Sequence, residues 1–165
     1  MPTSKNVQHF NQQAERRKHF METISEYLSS DHHRCDDLFA VAEEAAGSKD
    51  WEKIVGESGA FLESMRHHFA MEEEVLFPAI EEQTGMSMGP TQVMRMEHQQ
   101  MRELFEAMAQ AVKNRDRDDF LGQTETLLVL MQQHNLKEEQ ILYQMADHVL
   151  ANDVAGMLGR LKEVA

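Results

Sequence analysis

HFAMEEEVLFP (residues 68–78) and HNLKEEQILYQ (residues 134–144) are nearly one phrase written twice, 66 positions apart. Each runs His, three residues, Glu-Glu, two residues, Leu and an aromatic. A His and a Glu four residues apart share one face of an α-helix. Each stretch also continues a series of apolar residues at steps of three and four, the spacing of a helix with one buried stripe. The phrase therefore predicts two helices, each presenting an imidazole and a carboxylate on its inward face.

Working outward, the same shift sets His32 on His98, Phe39 on Phe105, Asp50 on Asp116, Gly56 on Gly122 and Met65 on Met131 without a gap. A repeat of this length is one helical hairpin written twice. The spacing predicts a short helix over residues 23–28 and a long one from Ser30, capped by Ser29 or Ser30, to Ala46 before Gly47. A second helix runs from the cap Asp50 to about Glu82, with Pro78 kinking it or loosening its last turn. A third runs from Pro90 to about Lys113 and a fourth from near Asp116 to Asp119 as far as about His148, followed by a short C-terminal helix capped by Asn152. The inward stripes include Leu76 and Ala79 in the second helix, and Met131, Ile141 and Met145 in the fourth. The expectation is an all-α, up-down-up-down four-helix bundle with a short extra C-terminal helix, spanning residues 23–165 after a polar arm of residues 1–22.

Composition agrees. The chain has 165 residues, 41% of them hydrophobic, with only 8 Gly and 3 Pro, which suits one domain with a real core and a helical class. A net charge of -13 repels nucleic acid and anionic membranes. No apolar run reaches the length of a membrane span, and the first residues lack the apolar core of a secretory signal. A soluble cytoplasmic protein is expected. The single cysteine, Cys35, excludes an internal disulfide and a cysteine-based zinc site.

Six ionisable groups fall on the four inward stripes: His32, His68, Glu72, His98, His134 and Glu138. A buried unpaired carboxylate costs several kcal/mol, so it neutralises or finds positive charge. A cation is the partner that serves all six. Symmetry between the halves suggests two metal ions, with Glu72 and Glu138 placed to bridge them. Imidazole and carboxylate without thiolate suit iron or manganese, with zinc chemically open. Coordination positions remain for water, an oxo bridge or a small ligand.

His32, HFAME (68–72), His98 and HNLKE (134–138), taken together, resemble the hemerythrin-like HHE cation-binding domain over about residues 23–148. The resemblance implies a four-helix bundle with a non-haem di-iron centre: two iron ions, oxo- or hydroxo-bridged, ligated by those six residues. Oxygen-carrying members have a further histidine one turn after the third-helix ligand, where this chain has Arg102. They also place the last carboxylate five residues after its histidine, whereas the repeat here favours Glu138 over Glu139. The chain looks more like the six-ligand branch, which includes di-iron proteins that repair iron–sulfur clusters. Those proteins also carry an N-terminal cysteine-containing domain, for which no room is expected here. The function implied is binding of, or reaction with, oxygen, nitric oxide or peroxide in sensing, detoxification or iron handling. The alternative is a metal-stabilised interaction or iron-delivery module, iron–sulfur cluster repair included, serving a protein redox or iron-acceptor partner.

Among the neighbours, Cys35 and Met101 share a slot and read as small buried hydrophobes, and the methionines as core filling. Asp36 and Arg102 lie one turn after the single histidines, placed for an ion pair or an outer contact to an imidazole. His33 and His67 point away from the stripe. Glu73 and Glu139 are alternative ligands with poorer geometry. Tyr143 reads as core packing, because its counterpart Phe77 has no hydroxyl.

Overall fold

Thr23 starts the first helix, seven residues before the expected Ser30. Its hydroxyl accepts from Glu26 N while the Glu26 carboxylate accepts from Thr23 N, a closed capping box. The two predicted segments are thus one helix, α1 (Ile24–Gly47), and neither Ser29 nor Ser30 caps anything. These positions come from a computed structural model that describes residues 22–48 and 50–164. The expected polar arm lies, apart from Glu22, outside the described residues.

The second rod is continuous but not uniform: α2 (Trp51–Ala70), a π-helical segment (Met71–Leu76), then α3 (Phe77–Thr84). Helix α4 (Pro90–Asn114) forms the third rod. The fourth repeats the design of the second, with α5 (Arg117–Lys137), a π segment (Glu138–Leu142) and α6 (Tyr143–Val149). A 3-10 turn (Ala151–Asp153) leads into α7 (Val154–Lys162), so the cap falls at Asp153 and not Asn152. Asp50 caps α2 as expected, and Asp116 caps α5. Helix α1 packs chiefly on α2 and α4 on α5, while α7 lies on the first π segment and α1. The described residues hold no strand. The fold is an all-α helical bundle with a short C-terminal helix. No helix among the described residues is long and apolar enough to cross a membrane.

Each π segment adds one residue to a turn and shifts the phase of everything after it. The predicted stripe had Ala79, but Phe77 and Ile80 are the buried residues and Ala79 is only half-buried. In the fourth rod Ile141 is 60% exposed, and Leu142, Tyr143 and Ala146 take the inward places given to Ile141 and Met145. Pro78 lacks an N–H, and the Glu73 carbonyl accepts from Arg95 Nη1 at 3.2 Å. The corresponding Glu139 carbonyl accepts from Gln144 Nε2 at 3.4 Å.

Two apolar clusters fill the interior. One contains Phe39, Phe61, Phe69, Phe105 and Phe120; the other contains Leu28, Leu76, Phe77, Tyr143 and Leu161. His32, His68, Glu72, His98, His134 and Glu138 fall between them, one polar layer across the bundle.

Helix α4 ends at Arg115, which has φ 54° and is the one non-glycine residue with positive φ among the described residues. A side chain in that region costs about 1–2 kcal/mol. Arg115→Gly should therefore raise the unfolding free energy by about 1 kcal/mol, read from the denaturant midpoint.

Candidate metal centre

The six sequence-predicted residues come together. All are at most 2% exposed. Two sets of four ligand atoms form: His32, His68, Glu72 and Glu138 in one, Glu72, His98, His134 and Glu138 in the other. Within each set, the atoms lie no more than 4.8 Å apart. Glu72 and Glu138 belong to both sets.

Every imidazole is held from behind by a carboxylate on a different helix. His32 Nδ1 lies 2.8 Å from Glu139 Oε1, and His68 Nδ1 lies 2.9 Å from Asp31 Oδ2. His98 Nδ1 lies 2.7 Å from Glu73 Oε1, and His134 Nδ1 lies 2.9 Å from Glu97 Oε2. A carboxylate can only accept, so each Nδ1 carries a proton and each Nε2 is the atom left to give a lone pair to a cation at the centre. Glu73 and Glu139, weighed above as ligands, sit in this outer ring. Consecutive residues diverge by about 100° around a helix, so one helix aims Glu72 inward and Glu73 sideways, and likewise Glu138 and Glu139. Arg102 grips Glu73 with two nitrogens at 2.9 Å each and is not paired with Asp36, which is exposed.

At the centre His98 Nε2 lies 3.1 Å from His134 Nε2 and 3.2 Å from Glu72 Oε2. His134 Nε2 lies 3.1 Å from Glu138 Oε1, and His68 Nε2 lies 3.4 Å from Glu72 Oε2. Donors bound about 2.1 Å from one ion at near right angles are about 3 Å apart, so these separations are those of neighbouring ligands. Among the described residues, three buried side-chain atoms have no hydrogen-bond partner: His68 Nε2, Glu72 Oε2 and Glu138 Oε1. Each orphan costs about 1–3 kcal/mol, more where charged. All three face the place where a cation would sit. The donor set fits one.

The charges say the same. Burial alone would push the His98 imidazole down, but Glu72 and Glu73 beside it, with Glu138 beyond, raise it to about 9. Carboxylates likewise outweigh burial at His32 and His134, which are raised. Burial opposes ionisation of Glu138, yet His134 and His32 hold it well below its ordinary value. Partial burial opposes ionisation of Glu73 too, and His98 and Arg102 bring it down to about 2. The centre is a negative pocket that draws positive charge.

Cys35 is buried, 3.0 Å from Ser64 Oγ, and burial pushes its thiol up to about 11, so it behaves as the expected small hydrophobe. His33 is exposed, while His67 is half-buried with Nε2 3.0 Å from the Val164 carbonyl. Two residues escaped the sequence reading. Asp31 and Glu97 precede the single histidines by one residue and are themselves 66 positions apart. A match by charge instead of identity would have found them. Tyr143, read above as core packing, also places its hydroxyl 2.7 Å from Glu72 Oε1. Core packing is only half its role.

A helical bundle whose middle layer is two four-ligand sets of imidazole and carboxylate is a cation-binding bundle. Residues 23–146 match the family model of the Hemerythrin HHE cation binding domain, and the chain belongs to that family. No curated protein and no solved structure matches it.

Outer partners of this kind are worth about 10–100-fold in metal affinity. Glu73→Gln should therefore weaken metal binding by about that factor, measured by competition with a chelator of known affinity. Unchanged affinity would remove Glu73 from the centre's support.

Proposed function

We propose that this chain is a non-haem di-iron protein that binds or reacts with oxygen, nitric oxide or peroxide. The observation that carries the reading is the sharing of Glu72 and Glu138 between the two ligand sets. One carboxylate from each hairpin reaches both positions, as a bridged pair of ions requires. A donor set of nitrogen and oxygen without sulfur favours iron or manganese. When bound, such a pair supplies one-electron steps and an exchangeable coordination position. The residues of the chain do the rest. His32, His68, His98 and His134 bind through Nε2, with their ring planes fixed by the outer carboxylates. His98 is further held by Phe69, stacked at 3.8 Å and 15°, and by Phe77 at 5.7 Å and 22°. These rings and the apolar layers on both sides keep water from the centre, which strengthens every charge inside it.

Elemental analysis of protein purified without a tag tests the metal. Spectra of the reduced protein, exposed in turn to oxygen, nitric oxide and peroxide, test the reactivity. About two irons per chain and a spectral change with one reagent are expected, by the pairing of ligand sets. Zinc or no metal in folded protein would overturn the reading. The complete burial of all six ligands also favours a second reading, a metal-stabilised interaction or iron-delivery module. A loaded, reduced protein that ignores all three reagents would decide for it.

A further inference from the structure

Tyr143 is fully buried, and its hydroxyl lies among the ligand atoms of the first set. It is 3.0 Å from His32 Nε2, 2.7 Å from Glu72 Oε1 and 3.2 Å from Glu138 Oε2. One hydroxyl hydrogen serves one acceptor well. With the His32 proton on Nδ1, donated to Glu139, as ligation through Nε2 requires, all three neighbours are acceptors. If the hydrogen goes to Glu72, the shortest contact, then Tyr143 Oη, His32 Nε2 and Glu138 Oε2 are left facing one another with lone pairs. Their separations are 3.0, 3.2 and 3.2 Å, a near-equilateral triangle. Lone pairs crowded in this way repel in a dry interior unless a positive ion takes them up. The edges match the separations between the other ligand atoms of the centre.

We propose that Tyr143 is a further oxygen donor to the metal position built by His32 and His68, which makes the two positions unequal. The inference rests on the two-metal reading above. On coordination the phenolic proton passes to solvent, the oxygen lone pair goes to the metal, and no electron moves. The other half has no such donor. Phe77 stands where Tyr143 stands, offering a ring beside His98 and no oxygen. The His32/His68 position is therefore the more completely filled of the two, and an outside ligand enters at the His98/His134 position.

The test uses the full chain, stripped of metal, loaded anaerobically with ferrous iron and oxidised with ferricyanide. The sequence has two tyrosines; the other, Tyr27, has its hydroxyl 3.8 Å from Met71 Sδ. The parent should hold about two irons and show a visible phenolate-to-iron charge-transfer band, in which laser excitation enhances tyrosine ring vibrations. Those vibrations should shift when the chain is grown with ring-deuterated tyrosine. Tyr27→Phe should keep the band, and Tyr143→Phe should keep the iron and lose the band. Should Tyr143→Phe not fold, the deuterated parent and Tyr27→Phe still assign the donor. Two irons without such a band, or a band that survives Tyr143→Phe, would overturn the role of Tyr143 alone. A parent that takes up no iron pair would overturn the two-metal reading, and this inference with it.

Discussion

On the two-metal reading, Glu138→Ala should empty both metal positions, whereas His68→Ala should spare the position built by His98 and His134. The difference comes from membership: Glu138 is in both ligand sets and His68 in one. Elemental analysis after dialysis should give almost no metal for Glu138→Ala and about half the parent content for His68→Ala, by that sharing of ligands. Stability should fall with the metal. An ion held at a thousand times its dissociation constant stabilises the fold by about 4 kcal/mol, and that contribution disappears with the site. Even without metal, Glu138→Ala removes the buried carboxylate beside His32 and His134, and breaking such a pair costs about 3–5 kcal/mol. The variant should thus melt well below the parent with or without a chelator. A Glu138→Ala protein that keeps its full metal content would sink the shared-carboxylate account.

Phe69→Ala is the second large effect. Phe69 is fully buried in the apolar cluster beside the centre, stacks on His98 and lies 5.8 Å from Phe105, ring to ring. Truncating a buried Phe to Ala costs about 3–5 kcal/mol through lost burial and the cavity left behind. Phe61→Ala, in the same cluster against Phe39 and Phe105, should cost a similar amount. Only Phe69→Ala should also weaken metal binding, because His98 then keeps Glu73 as a tether but loses the closer of the two rings stacked on it. Denaturant unfolding of both variants, with chelator competition on each, separates packing from support of the centre. Equal metal affinities would mean that the stacked ring is core and nothing more.

The six central residues were legible because helix geometry is local. A His and a Glu four apart must share a face, and two copies of that pair leave few places to put them. The outer ring was not legible, because its contacts run between helices. Glu73 belongs to the second rod but serves His98 on the third, and Glu139 serves His32 on the first. Periodicity says which way a residue points and not what it meets there. The π turns hid for another reason. A single added residue leaves the apolar spacing almost intact while rotating every later side chain about the axis, so Ile141 seemed as suitable for the inside as Leu142. The same rotation carries the Tyr143 hydroxyl into the centre. At the start of the chain, the expected cap at Ser29 or Ser30 gives way to the Thr23–Glu26 box, whose paired hydrogen bonds begin the helix earlier.

The crossing of the outer carboxylates has a consequence for the order of events as the protein is made. Three of the four ligands in the first set come early in the chain, but the fourth, Glu138, and the support of His32 by Glu139 come from near its end. The second set needs Glu72 from the opposite hairpin. A growing polypeptide therefore presents no complete binding set until its last long helix has emerged. On the two-metal reading, an ion therefore gains its full ligand set only in a bundle that is already closed.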